Sequence, residues 1–267
     1  MQKWVESEEE LRAGLRLHEK LVVEFPKLAQ YRYTLGDCRK SLGILLYSLK
    51  KWDPAEAEFR EARETFKQLV DAAPDDPVYR SSLAQTHYNL GIVLYEKRRP
   101  IQAEKECSAA IDIRKKLVAQ FPSVPRYVHA LAAGYARLGM ALTMQGKWDD
   151  AIAAYREGIR LEPDNANAHI NLGAILCDHK GDYPGAATVF REAIRLDPKS
   201  AEAHVNLGNA LDALGKVEGA IAAWEQANRL QPDIASNLVA GQQRGSSFPG
   251  PGRGGSPGEK GHHDPPE

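Results

Sequence analysis

Asn206-Leu207-Gly208, followed by Ala220, Trp224, Ala227 and Pro232, decides how this chain folds, because the same order of small and large residues returns four more times. The Leu-Gly pair recurs as Leu42-Gly43, Leu90-Gly91, Leu138-Gly139 and Leu172-Gly173, so the glycine steps are 48, 48, 34 and 35 residues. Prolines keep the same beat at Pro26, Pro74, Pro122, Pro163, Pro198 and Pro232. Behind Gly43, Gly91 and Gly139 come Ala55, Ala103 and Ala151, then Phe59, Cys107 and Tyr155, then Ala62, Ala110 and Gly158. The Gly173 unit matches after one inserted residue, with Ala186, Phe190 and Ala193. Within each unit the apolar spacing predicts two short amphipathic helices. A period of this size predicts that the units stack into an array. The glycine and alanines then stand where two helix backbones approach closely, and the large residue fills the gap beside them.

This pattern resembles the tetratricopeptide repeat, a helix–turn–helix unit, and the resemblance covers roughly residues 1–232. It implies an all-α fold, a right-handed superhelical solenoid. The longer units follow from arithmetic: each of their helices is extended by seven residues, about two turns or roughly 10 Å. Tyr31/Leu35, Tyr79/Leu83 and Tyr127/Leu131 mark the extensions of first helices; Leu21-Val22, Leu69-Val70 and Leu117-Val118 mark those of second helices. The change to short helices falls between Arg126 and Pro163. Such mixed architecture resembles long-helix repeats of some bacterial multidomain proteins, including ones that follow a protein-kinase domain. The expected organisation is a half repeat over 1–26, two long repeats over 27–122 and three repeats over 123–232. A short capping helix over 233–244 and a disordered Gly/Pro-rich tail over 245–267 complete it.

Turn chemistry supplies the helix starts. Asp53-Pro54-Ala55-Glu56 predicts an N-cap with proline at the first helical position, and Asp76-Pro77 and Ser123-Val124-Pro125 predict similar starts.

Composition narrows the function. With 35 Lys+Arg against 36 Asp+Glu, the chain lacks the basic surplus of a nucleic-acid binder. Cys38, Cys107 and Cys177 form no C-x-x-C pair, which argues against a disulfide framework or a cysteine-rich zinc site. The acidic start has no apolar signal-peptide core, and no apolar run is long enough to span a bilayer, so a cytoplasmic chain without membrane contact is expected.

Catalytic motifs are wanting. Gly250-Pro251-Gly252-Arg253-Gly254-Gly255 matches G-x-G-x-x-G, yet it lies in the Gly/Pro tail without the strand and helix that nucleotide binding needs. No kinase catalytic loop follows. His87, His169 and His204 each stand four residues before a repeat glycine, which reads as packing rather than a metal site. His179 beside Asp178 and Asp182, and the adjacent His262-His263, are weaker metal candidates still. Cys107 takes the large slot of its unit as a core filler, and Glu8-Glu9-Glu10 reads as a solvated helical turn. No enzyme, cofactor, metal site or catalytic residue is expected.

Binding is the remaining role. By the resemblance, first helices line a concave groove, and residues two before and one after the repeat glycine face it. Those positions include Asn89, Arg137, Asn171 and Asn206, and, one after, Asn209. An amide offers a donor and an acceptor to an extended peptide, or it merely solvates a helix face. Lys40 alone is basic among the residues three before the glycine, so the clamp that holds a terminal carboxylate in some family members is not supported. Tyr47 and Tyr95 make the N-terminal half of the groove more apolar. The expected function is a scaffold binding a protein or peptide partner. The alternative is the detached C-terminal region of a larger signalling enzyme such as a bacterial serine/threonine kinase. Trp4, Leu11, Leu15 and Val22 give the opening half repeat an apolar stripe, which predicts self-association through the N-terminal edge.

Overall fold

A computed structural model describes residues 2–232, with side chains from Ser7 onward. Eleven helices and no strand occur among the described residues. A single helix, α1 (Gln2–Glu24), precedes five pairs. They are α2 (Ala29–Ser48) with α3 (Trp52–Ala72), α4 (Pro77–Glu96) with α5 (Pro100–Gln120), and α6 (Pro125–Thr143) with α7 (Trp148–Leu161). Then come α8 (Ala166–Asp178) with α9 (Tyr183–Leu196), and α10 (Ala201–Ala213) with α11 (Val217–Leu230). Each helix packs on its neighbours in sequence, which makes the fold an all-α solenoid. The stretch expected as a capping helix, the tail and the side chain of Trp4 lie outside the described residues.

The glycine rule explains how tightly the pairs close. A Cβ on Gly173 would stand 2.5 Å from the Phe190 ring, and one on Gly43 would stand 2.7 Å from the Phe59 ring. Phe59, Tyr155 and Phe190 are each 1% exposed, so the rings fill the space that the missing side chains leave. Cys107, fully buried, does the same opposite Gly91 with a smaller atom set.

Helix length falls along the array. Helices α2 to α5 have 20 or 21 residues and α6 has 19, whereas α7 to α11 have 13 or 14. The step lies inside the α6–α7 pair, where His129 Nδ1 meets Glu162 Oε1 at 3.0 Å just beyond the end of α7.

Helix starts partly depart from the sequence reading. Asp76 caps α4 as expected, accepting from the Val78 and Tyr79 amides. Helix α3 instead begins at Trp52 with Lys51 as its N-cap, because Ala55 N already donates to Lys51 O. Asp53 therefore becomes a first-turn acid that accepts from Lys97. Val124, which has no capping side chain, precedes α6 in place of Ser123.

Basic residues in the inter-helix turns bind acids on the preceding second helix. Lys51 reaches Glu8 at 2.8 Å, Arg99 reaches Glu56 at 2.9 Å, Lys147 reaches Glu104 at 2.8 Å and Lys180 reaches Asp149 at 2.7 Å. Lys216, in the α10–α11 turn, has no ion pair among the described residues.

Candidate functional site

The curvature follows from which helices meet. Beyond neighbours in sequence, backbones approach only between α2 and α4, α4 and α6, α6 and α8, and α8 and α10. No two second helices come as close among the described residues. First helices thus lie on the inside of the bend, and the side chains they turn away from their partners line the inner face.

Among the residues expected on the N-terminal half of that face, aromatic and cationic groups meet. Tyr47 packs its ring on Trp52 at 5.1 Å, and the Arg137 guanidinium lies 5.7 Å from the centre of the Tyr95 ring. Burial, and then the Glu96 carboxylate, push the Tyr47 phenol up, against the pull of Arg137. Behind this layer Tyr155 is pushed up to about 12 by burial, opposed by its hydrogen bond to Thr143 and by the Arg137 charge. Arg137 is half-buried and has neither a hydrogen bond nor an ion pair among the described residues. Asn89 is buried at 8% exposure; its Oδ1 accepts from Gln85 at 2.9 Å while its Nδ2 has no partner.

Lys40 stands apart from this cluster. Its ammonium pairs with Asp37 at 2.5 Å and lies over the Phe66 ring, on the long extension of the first pair.

The C-terminal half is plainer. Asn171 and Asn206 are half-buried and make no side-chain hydrogen bond among the described residues. Asn209 is engaged inside its own unit, where Oδ1 accepts from Trp224 Nε1 at 3.1 Å. The repeat histidines serve the helix starts: His169 Nε2 meets Pro163 O at 3.0 Å and His204 Nε2 meets Pro198 O at 3.3 Å. His87 instead meets the Glu106 carboxylate at 2.6 Å, and His179 stacks on Trp148 at 3.5 Å.

No thiol is poised as a nucleophile. Burial pushes Cys107 up to about 12 and Cys177 up to about 11, and it raises Cys38 as well.

Sequence reasoning missed Arg114 and Gln85. Arg114 is 3% exposed and donates to Ala130 O at 2.7 Å and to Gln85 Oε1 at 3.1 Å, with its guanidinium 4.7 Å from the centre of the Tyr88 ring. Burial lowers its pKa to about 10. The signal was present: Arg114 falls 48 residues after the buried Phe66, so a charge occupies a slot that the preceding unit makes apolar.

Residues 137–201 and 179–233 match the tetratricopeptide-repeat family. Among solved structures, BtubC (BKLC) from P. vanneervenii is similar, with a TM-score of 0.66 and 19% identity over 97% of this chain and 99% of that one. YrrB, described as a TPR protein with an unusual peptide-binding site, is similar with a TM-score of 0.56 and 19% identity, covering 84% of this chain and 97% of that one. These identities make the likeness one of fold. No curated protein matches the sequence. Residues 137–233 thus carry tetratricopeptide repeats, and the helix pairs run on without a break from them back to α2, each closing a small residue on its first helix against its second.

Proposed function

We propose that the chain is a non-catalytic interaction scaffold whose inner face takes a segment of a partner protein in extended form. One observation carries the reading: of the residues expected on the inner face, the half-buried Asn171 and Asn206 amides and the Arg137 guanidinium make no hydrogen bond or ion pair within the fold among the described residues. Buried or half-buried polar groups are ordinarily satisfied. A rigid surface with unused donors gains binding energy without first breaking internal bonds.

Partner capture from lysate followed by mass spectrometry supplies the ligand, and a variant carrying Asn171→Ala and Asn206→Ala tests the surface. That variant should keep its helical circular dichroism and bind the captured partner about tenfold more weakly, given about 1 kcal/mol per amide contact. Unchanged affinity would remove the inner face from the reading.

Self-association through the N-terminal edge belongs to the same proposal. Leu11, Leu15 and Val22 of the expected stripe pack into the core instead, and the exposed apolar residues of α1 are Leu17 at 56% and Val23 at 82%. Sedimentation should register a dimer that Leu17→Glu/Val23→Glu dissociates; a wild type that stays monomeric at high concentration refutes this part alone.

A further inference from the structure

An arginine takes the same slot at the first two joints between a second helix and the pair that follows it, and the third joint lacks it. Glu8 and Arg12 on α1 recur 48 residues later as Glu56 and Arg60 on α3, whereas on α5 the pair is Glu104 and Ser108. The turn cation keeps the beat as Lys51, Arg99 and Lys147. At the first joint Glu8 Oε1 receives Arg12 at 2.9 Å and Oε2 receives Lys51 at 2.8 Å. At the second, Glu56 Oε1 receives Arg60 and Arg99 while Oε2 receives Lys97. At the third, Lys147 at 2.8 Å and Gln145 at 2.7 Å both go to Glu104 Oε2. Glu104 Oε1 has no hydrogen bond or ion pair among the described residues. Burial pushes this carboxyl up, but the bonds from Lys147 and Gln145 outweigh burial and hold it below the usual glutamate range.

The absent side chain leaves room. A groove of about 280 Å³ opens between α5 and α7, on the outer side of the bend. Glu104 and Ser108 stand on one wall, Asp150 and Glu157 on the other, and Tyr135 and Leu138 on the floor. Asp150 is exposed and has no ion pair among the described residues, and Glu157 holds Arg160 through Oε2 alone. The nearby cations are committed or distant. Lys147 is held by Glu104 and Arg160 by Glu157, while Lys115, over the Tyr135 ring, stands seven residues or about 10 Å along α5 from Ser108. An apolar floor beside a carboxylate with a spare oxygen suits a guanidinium on an apolar stem. Arg12 shows the geometry, with Nε and Nη2 donating to Glu8 Oε1 at 3.1 and 2.9 Å.

We propose that the outer groove between α5 and α7 is a subsite for an arginine side chain of a partner protein, whose guanidinium meets Glu104 Oε1 and whose stem lies on Tyr135 and Leu138. The partner supplies at the third joint the cation that the chain supplies for itself at the first two. The subsite faces away from the inner face and does not rest on the reading of that face.

Random dodecapeptides displayed on phage and selected on the full chain provide the probes, with affinities measured by fluorescence polarisation. One class of selected peptides should share an arginine. Citrulline, its neutral isostere, should weaken binding about tenfold in that place, the scale of a charge-assisted hydrogen bond. Glu104→Gln should weaken the arginine peptide equally and erase its advantage over citrulline. Ser108→Arg is the sharper variant, because it gives α5 the pairing that α1 and α3 have. This class should then be lost while the melting temperature is kept or raised. The citrulline exchange leaves the protein untouched, so it decides the matter even if a variant fails to fold. Asn171→Ala/Asn206→Ala should leave the class unchanged, which separates the outer groove from the inner face. Binders that share no arginine, or an arginine that citrulline or lysine replaces without loss, overturn the subsite. Arginine peptides indifferent to Ser108→Arg yet weakened by Asn171→Ala/Asn206→Ala also overturn it and leave the scaffold reading intact. Self-association in sedimentation that Ser108→Arg abolishes would give the groove to a second copy and overturn the partner assignment.

Discussion

Gly173 and Phe190 form one socket and plug, and the fit leaves no slack. A Cβ at Gly173 would intrude on a ring that is itself 1% exposed and has nowhere to turn. Gly173→Ala should therefore cost about 1–3 kcal/mol, the usual penalty of overpacking, as measured by urea unfolding. Phe190→Leu in the same chain should return part of the loss; if the two costs simply add, the socket account is wrong. Glu106 makes a different residue-scale prediction. Burial pushes its carboxyl up, but the bond and charge of His87 and the charge and bond of Arg63 outweigh burial and hold it below the usual glutamate range. A depressed carboxylate contributes stability that is complete above its unfolded pKa and is lost as pH falls through the folded one. Glu106→Gln should thus destabilise the chain at neutral pH, with the deficit shrinking below about pH 4. Unfolding free energies measured across a pH series check this.

Between helices, turn cations tie each of the first four pairs to the helix or pair before it. Glu56 is the most enclosed of these acids: its side chain is 3% exposed and receives Arg60, Lys97 and Arg99. Glu56→Gln should lower stability by about 1–3 kcal/mol, because charge-assisted bonds become weaker or unmade. A melting temperature equal to that of the wild type would show that the ties contribute nothing. Helices and their pairing were legible because small and large residues recur at fixed spacing, and packing leaves few other solutions. The start of α3 was not, because Asp53 and Pro54 fit a cap equally well in isolation. The choice of Lys51 follows from where Trp52 and the Lys97 contact place the first turn. The inner face was legible only as positions. Asn209 faces Trp224, Lys40 faces Asp37, and Asn89 accepts from Gln85, which Arg114 holds, all through partners that a repeat alignment does not specify.

Across the whole molecule, stability is a sum of pairs and joints rather than of one shared core. The last pair is the weakest by this count. Its turn lysine, Lys216, is untied among the described residues, and Val217 and Ile221 are 54% and 47% exposed on α11. Amide hydrogen exchange should accordingly be faster in α10 and α11 than in α4 and α5, and the reverse order would contradict the nearest-neighbour account. The drop in helix length at α6–α7 has a mechanical consequence. At 1.5 Å per residue the ribbon is about 30 Å wide before the step and about 20 Å after it. A narrower strip is less stiff across its width and has fewer contacts per joint to break. Load applied between the ends should therefore peel the array from its narrow side, one pair at a time, while the broad half stays folded. A partner seated on the broad half would remain held through such a pull.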